Sequence, residues 1–194
     1  MPILKEELSI YPDDLLDEFT LRLQDAGGPQ NGDGELRWWA IHAKSRQEKA
    51  LARELLAQEI PFYLPLVPKR QFIGRRSYCS HLPLFPGYVF VFGTERSRLA
   101  AFNTNRVAKM MAVWEPEQLL ADLRRIRQLI AADVPLTVER RMKPGDQVRI
   151  RRGLLAGIEG TILRRNGRTR LLIAVKYLQQ GVSVEIDDFM VEPM

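Results

Sequence analysis

Hydrophobic residues between positions 37 and 130 follow two alternating periods, and each change of period marks an element. Trp38-Trp39-Ala40-Ile41-His42-Ala43 reads as a strand. Tyr88, Phe90 and Phe92 alternate with Val89 and Val91, the two-residue period of a strand. Between these strands Ala50, Leu51, Leu55 and Leu56 give a helix an apolar face, and Pro61 ends it. Ser45 stands three residues before Glu48, the spacing of a capping box that starts that helix. Phe62 to Val67 begins a second strand, and Pro68 to Arg76 reads as a basic hairpin with Gly74 at its tip. A short helix (Ser97 to Phe102), a loop (Asn103 to Arg106) and a strand (Val107 to Val113) come next. Pro116 opens a last helix, with Leu119, Leu120, Leu123, Ile126, Leu129 and Ile130 at helical spacing. The order predicts an α+β domain over residues 36–133, with helices covering an antiparallel sheet.

The flanking segments obey other rules. GGPQNGDG (Gly27 to Gly34) has linker composition, so residues 1–35 are expected to be a flexible acidic extension with at most one short helix around Leu15, Leu16 and Phe19. VPLTVERRMKP (residues 134–144) carries two prolines and mixed charge and reads as an interdomain linker. Beyond it come short strands separated by Gly153, Gly157, Asn166-Gly167 and Gly181. Closely spaced short strands with tight turns predict a small β-barrel over residues 145–194.

Charge sharpens this division. Residues 1–35 carry a net charge of −7, residues 36–134 a net of +8, and residues 135–194 a net of +4. An acidic tail before a basic body fits either a solvated surface or a polyanionic partner. No apolar run approaches the ~18 residues of a membrane span, and a single cysteine, Cys79, suits a reducing cytoplasm. Cys79 and His81 lack neighbouring carboxylates, and His42 is the only other histidine, too few ligands for a zinc site. The glycines of GLLAGIEG are not followed by Lys-Ser or Lys-Thr, so they do not make a phosphate loop. Neither an enzyme nor a cofactor is expected.

The Trp-Trp strand, the helix after it, the basic hairpin, LFPGYVFV (Leu84 to Val91) and the asparagine-bearing loop together resemble the N-terminal domain of the NusG transcription elongation factors. GDQVRIRRGLLAGIEGTI (Gly145 to Ile162) resembles a KOW motif, the small SH3-like β-barrel placed after that domain in NusG. The resemblance implies a monomeric cytoplasmic factor of transcription elongation and antitermination, similar to specialised RfaH-like or polysaccharide-operon paralogues. It implies docking on the clamp helices of RNA polymerase through an exposed apolar patch of Leu84 and Phe85, with Trp38, Phe62, Leu64 and Tyr88 as neighbours. Prolines on both sides of Leu84 and Phe85 would stiffen that patch. It also implies nucleic-acid contacts. Lys69, Arg70, Arg75 and Arg76 of the hairpin would face phosphates. Asn103 and Thr104, in the loop that runs to Arg106, would read the non-template DNA strand, and Lys44, Arg46 and Gln47 stand where RfaH-like paralogues meet a DNA hairpin.

Several alternatives stay open at this stage. Asn103 and Thr104 serve a helix end as readily as a base. In the barrel, Leu178, Gln179 and Gln180 stand where the family contacts a ribosomal protein or Rho; they lack the aromatic of general NusG factors, which argues against Rho and leaves a ribosomal protein open as partner. A KOW-type RNA-binding protein of the ribosome or its assembly is the competing class. Either reading excludes a membrane partner.

Overall fold

The computed structural model describes residues 7–19, 35–73, 76–139, 145–165, 168–186 and 191–194. The chain divides into two compact units, Met1–Pro116 and Glu117–Met194. In the first unit, five strands form a sheet: β1 (Ile10–Tyr11), β2 (Arg37–Ala43), β3 (Phe62–Tyr63), β6 (Tyr88–Gly93) and β7 (Val107–Ala112). Their order is β1-β3-β6-β2-β7, and every pairing is antiparallel. The helices of this unit are α1 (Glu48–Ala57) and α2 (Glu95–Asn103).

Alternation along β2 and β6 gives the sheet two apolar faces. Trp39, Ile41 and Ala43 join Val89 and Val91, Leu51 and Leu55 of α1, and Ala101 of α2 in one core. The other face presents Trp38, Ala40, Phe90 and Phe92, all buried, with Trp38 and Phe92 in ring contact at 5.3 Å. Both tryptophans of β2 are therefore core residues. Trp39 is also flanked by cations, with the guanidiniums of Arg37 and Arg98 5.9 and 5.6 Å from its ring.

Residues 7–19 do not behave as a flexible extension. β1 pairs with β3, and Ser9 C=O accepts the Leu64 N–H at 2.7 Å. A π-helical turn, Leu15–Phe19, buries Leu15 and Leu16 completely. Glu7 is paired with Arg53 at 2.8 Å, and that guanidinium lowers its carboxyl below the ordinary glutamate range. Two buried leucines and a strand pairing recruit this acidic stretch, despite its charge.

The second expected strand is interrupted. Leu64 and Pro65 leave the sheet, and the chain resumes as β4 (Leu66–Ile73), paired with β5 (Arg76–Pro83) in a separate two-stranded ribbon. The expected basic hairpin is this ribbon, with Lys69 opposite Ser80 and Arg70 opposite Cys79.

The second unit takes all but the first residue of α3 (Pro116–Ala131), whose Leu119, Leu120, Leu123, Ile126 and Leu129 are buried. Six strands come after it, in the order β13-β9-β10-β11-β12-β8. They are β8 (Leu136–Glu139), β9 (Gln147–Ile150), β10 (Glu159–Arg165), β11 (Arg168–Val175), β12 (Gln180–Glu185) and β13 (Val191–Pro193). The start of the expected linker is thus a strand, because Leu136 and Val138 lie opposite Val184 and Val182 of β12. Among the described residues β13 and β8 do not pair, so the sheet is open where a closed barrel was expected. Asp122 of α3, buried, accepts the Lys176 N–H at 3.0 Å and the Gln118 side-chain amide at 2.8 Å. Burial raises its carboxyl above the ordinary aspartate range against the pull of these bonds.

Candidate nucleic-acid interface

Two loops separated by some sixty residues of sequence meet at one end of the first unit. A register shift between His42 and Ala43 breaks the regular pairing of β2 with β7, which resumes with Ala43 opposite Val107. Such irregularities bend a strand and re-aim the chain beyond it. The chain then turns through Lys44 to Gln47, with Arg46 at φ 59, a left-handed conformation uncommon for a residue with a side chain. Across from it, α2 ends in Asn103 and the chain turns through Thr104, Asn105 and Arg106, with Asn105 at φ 58.

Four hydrogen bonds tie the loops to each other and to α1. Lys44 donates its N–H to Arg106 C=O at 2.7 Å and its ammonium to Asn105 Oδ1 at 2.7 Å. Arg106 donates to Gln47 Oε1 and, through Nε, to Glu54 Oε1 at 2.5 Å. These bonds divide the expected nucleic-acid residues into two groups. Arg106 has its charge met by Glu54, so it clamps the loops rather than waiting for a phosphate. Thr104 donates its hydroxyl to Ala101 C=O at 2.7 Å and accepts the Arg106 N–H, which closes the end of α2. The helix-end reading holds for Thr104. Lys44, by contrast, is held by a neutral amide rather than a carboxylate. Arg46 and Asn103 are exposed, and among the described residues Arg46 has no ion-pair partner.

The capping box is not formed. Gln47 occupies the N-cap position without a side-chain cap bond. Glu48 is buried and accepts the Gly87 N–H at 2.8 Å instead. Gly87 sits in a Pro86-Gly87 turn closed by Tyr88 N–H to Phe85 C=O at 3.1 Å, and its φ of 88 is what a type II turn requires at this position. A β-carbon there would lie 3.0 Å from His42 Nε2.

That turn overturns the expected exposed patch. Phe85 is 1% exposed and Leu84 3%, while Trp38, Phe62 and Leu64 are each 1% exposed. The prolines do not stiffen an open segment. Pro86 supplies the turn, and the Leu84 N–H bonds Pro65 C=O at 2.8 Å, which folds the segment inward. Phe62 and Leu64 belong to the core beneath α1. Tyr88 alone of the expected docking set keeps partial solvent access, stacked edge-on against His42 at 5.2 Å.

Of the hairpin cations, Lys69 is exposed. Arg75 and the side chains of Arg70 and Arg76 lie outside the described residues. In the second unit Leu178 is buried at the end of a short 3-10 turn (Lys176–Leu178). Gln180 begins β12, half-buried, while Gln179 is exposed at φ 52. Cys79 is an exposed free thiol. Among the described residues no group of three His, Cys, Asp or Glu is placed to hold a metal. No described helix is long and apolar enough to cross a membrane.

Glu54 and Asn105 were not singled out from sequence, yet they hold this corner together. Asn105 carried the only local signal, since asparagine favours the left-handed region it occupies.

An antiparallel sheet with helices, bearing exposed cations and amides on two cross-tied loops, makes the first unit an α+β domain. Residues 36–130, just under half of the chain, match the family described as transcription termination factor NusG. No curated protein matches the chain.

Proposed function

We propose that this chain is a NusG-type transcription factor, without catalytic activity, that binds RNA polymerase and promotes processive elongation and antitermination in the cytoplasm. The observation that carries the reading is the match of residues 36–130 to the NusG family, over the region that holds the two cross-tied loops. The chain docks on the clamp helices of the polymerase. Its Lys44–Gln47 and Asn103–Arg106 loops meet the non-template strand, with Lys44 and Arg46 near phosphates and the Asn103 amide near base edges. The second unit contacts another protein, a ribosomal protein being the partner favoured, through the exposed Gln179 turn.

The test is an elongation assay with purified RNA polymerase on a template carrying pause sites and a terminator. The full chain should co-elute with the elongation complex and raise read-through. A Lys44→Ala/Arg46→Ala variant should still co-elute but lose its effect at particular pauses. Absence of co-elution, together with tight binding to ribosomal RNA, would overturn the proposal in favour of a ribosome-associated protein.

A further inference from the structure

Helix α2 is packed inside out at its C-terminal end. Ala101, a small residue, is fully buried, while its neighbour Phe102 is 55% exposed. More than half of this aromatic on the last turn of the helix stays in water. It also lies within the loop network. Asn105 donates its N–H to Phe102 C=O at 3.2 Å, and the same Asn105 holds the Lys44 ammonium through its side chain. Asn103, exposed, is the next residue after Phe102.

We propose that Phe102 is a stacking platform for an unpaired base of a single-stranded nucleic acid, an inference that rests on the nucleic-acid reading of the two loops. Every base presents a π-face, so an exposed ring binds a single strand without choosing its sequence. A duplex, with its bases already stacked on each other, offers this ring nothing. The surroundings fit a polyanion carrying an exposed base. Lys44, held by an amide, and Arg46, exposed, supply positive charge for the phosphates. The carbonyls of Ala101 and Phe102 at the helix C-terminus, which would otherwise repel a phosphate, are already bonded to Thr104 and Asn105. Exposed Asn103, the next residue in the chain, supplies donors and an acceptor. The competing occupant is an apolar protein surface, because Leu99, 48% exposed, stands one helical turn before Phe102 on α2. The exposed Lys44 and Arg46, on the loop that Asn105 ties to the Phe102 end of α2, favour the nucleic acid.

The experiment measures binding of the full chain to a fluorescent oligothymidylate and to a duplex of the same length, at several salt concentrations. Phe102→Ala should bind the single strand about ten-fold more weakly and the duplex as the wild type does. The slope of log affinity against log salt should not change, since no phosphate contact is lost. Phe102→Trp should restore single-strand binding, Phe102→Leu should not, and Leu99→Ala should match the wild type. Melting temperatures should stay together, because truncating an exposed ring leaves no cavity. Wild-type affinity in Phe102→Leu would show that apolar area suffices and overturn stacking, as would an equal loss on duplex. If Lys44→Ala/Arg46→Ala weakens binding while Phe102→Ala does not, stacking fails and the loop interface stands. If neither variant changes binding, both readings fall together.

Discussion

Two corners of the first unit carry apolar and polar residues expected to meet partners, and they are built in opposite ways. At the Pro83-to-Tyr88 corner, Leu84 and Phe85 were expected in solvent and are buried beneath a type II turn. At the Lys44 and Asn103 corner, exposed polar residues stay at the surface but are cross-tied by four hydrogen bonds. The first corner is ordered by one glycine and one buried carboxylate, the second by a clamp of charged and amide groups. A proline-flanked aromatic is thus no signature of exposure, because proline followed by glycine is turn chemistry that can face either way. A cation in a loop is likewise no signature of a phosphate contact until its carboxylate partners are known.

The sharpest break of this contrast is Phe85→Ala. It should cost about 3–5 kcal/mol of stability in denaturant unfolding, the range for a buried aromatic. A loss below about 1 kcal/mol would return Phe85 to the surface and erase the difference between the corners. Glu48→Ala should cost about 1–3 kcal/mol, because the Gly87 N–H loses its acceptor. Glu48→Gln, which keeps an acceptor oxygen, should cost less. Gly87→Ala should cost about 1–2 kcal/mol, from the left-handed φ and the approach to His42. Arg106→Ala should change stability by only about 0.2–1 kcal/mol, since its ion pair is part-exposed. Its effect should appear instead as faster amide exchange in residues 44–47 and 104–106, whose loops it holds. Unchanged exchange there would mean that the Lys44 bonds alone set the corner.

The long periodic elements were legible in the sequence. The Trp38 strand, α1, the strand of Tyr88 to Phe92 and α3 all lie where period and proline predict. The failures were short or non-local. β1 has two residues and shows no period, so the packing of Ile10, Leu15 and Leu16 could not be read from alternation. β8 hides in a charged, proline-flanked stretch because its partner β12 lies more than forty residues away. Ser45 and Glu48 have the spacing of a capping box, yet the stronger claim on Glu48 comes from an amide 39 positions on. At the site, Lys44, Gln47, Asn103 and Thr104 could be named from the resemblance. Their grouping through Asn105 and Glu54 is a tertiary fact that no local spacing encodes.

Asp122 gives α3 a double allegiance. The family match ends at residue 130, within this helix, while the carboxylate of Asp122 is satisfied by the Lys176 amide of the sheet that comes after it. Anyone dividing the gene at the edge of the family region would therefore cut through a working joint. A fragment stopping at residue 130 keeps the acid and discards its acceptance of that amide. A fragment starting at Pro144 discards the helix and also β8, baring the outer edge of β12. A protein begun at Glu117 carries helix, strand and carboxylate together, and it should be the soluble, monodisperse product when the three are expressed side by side.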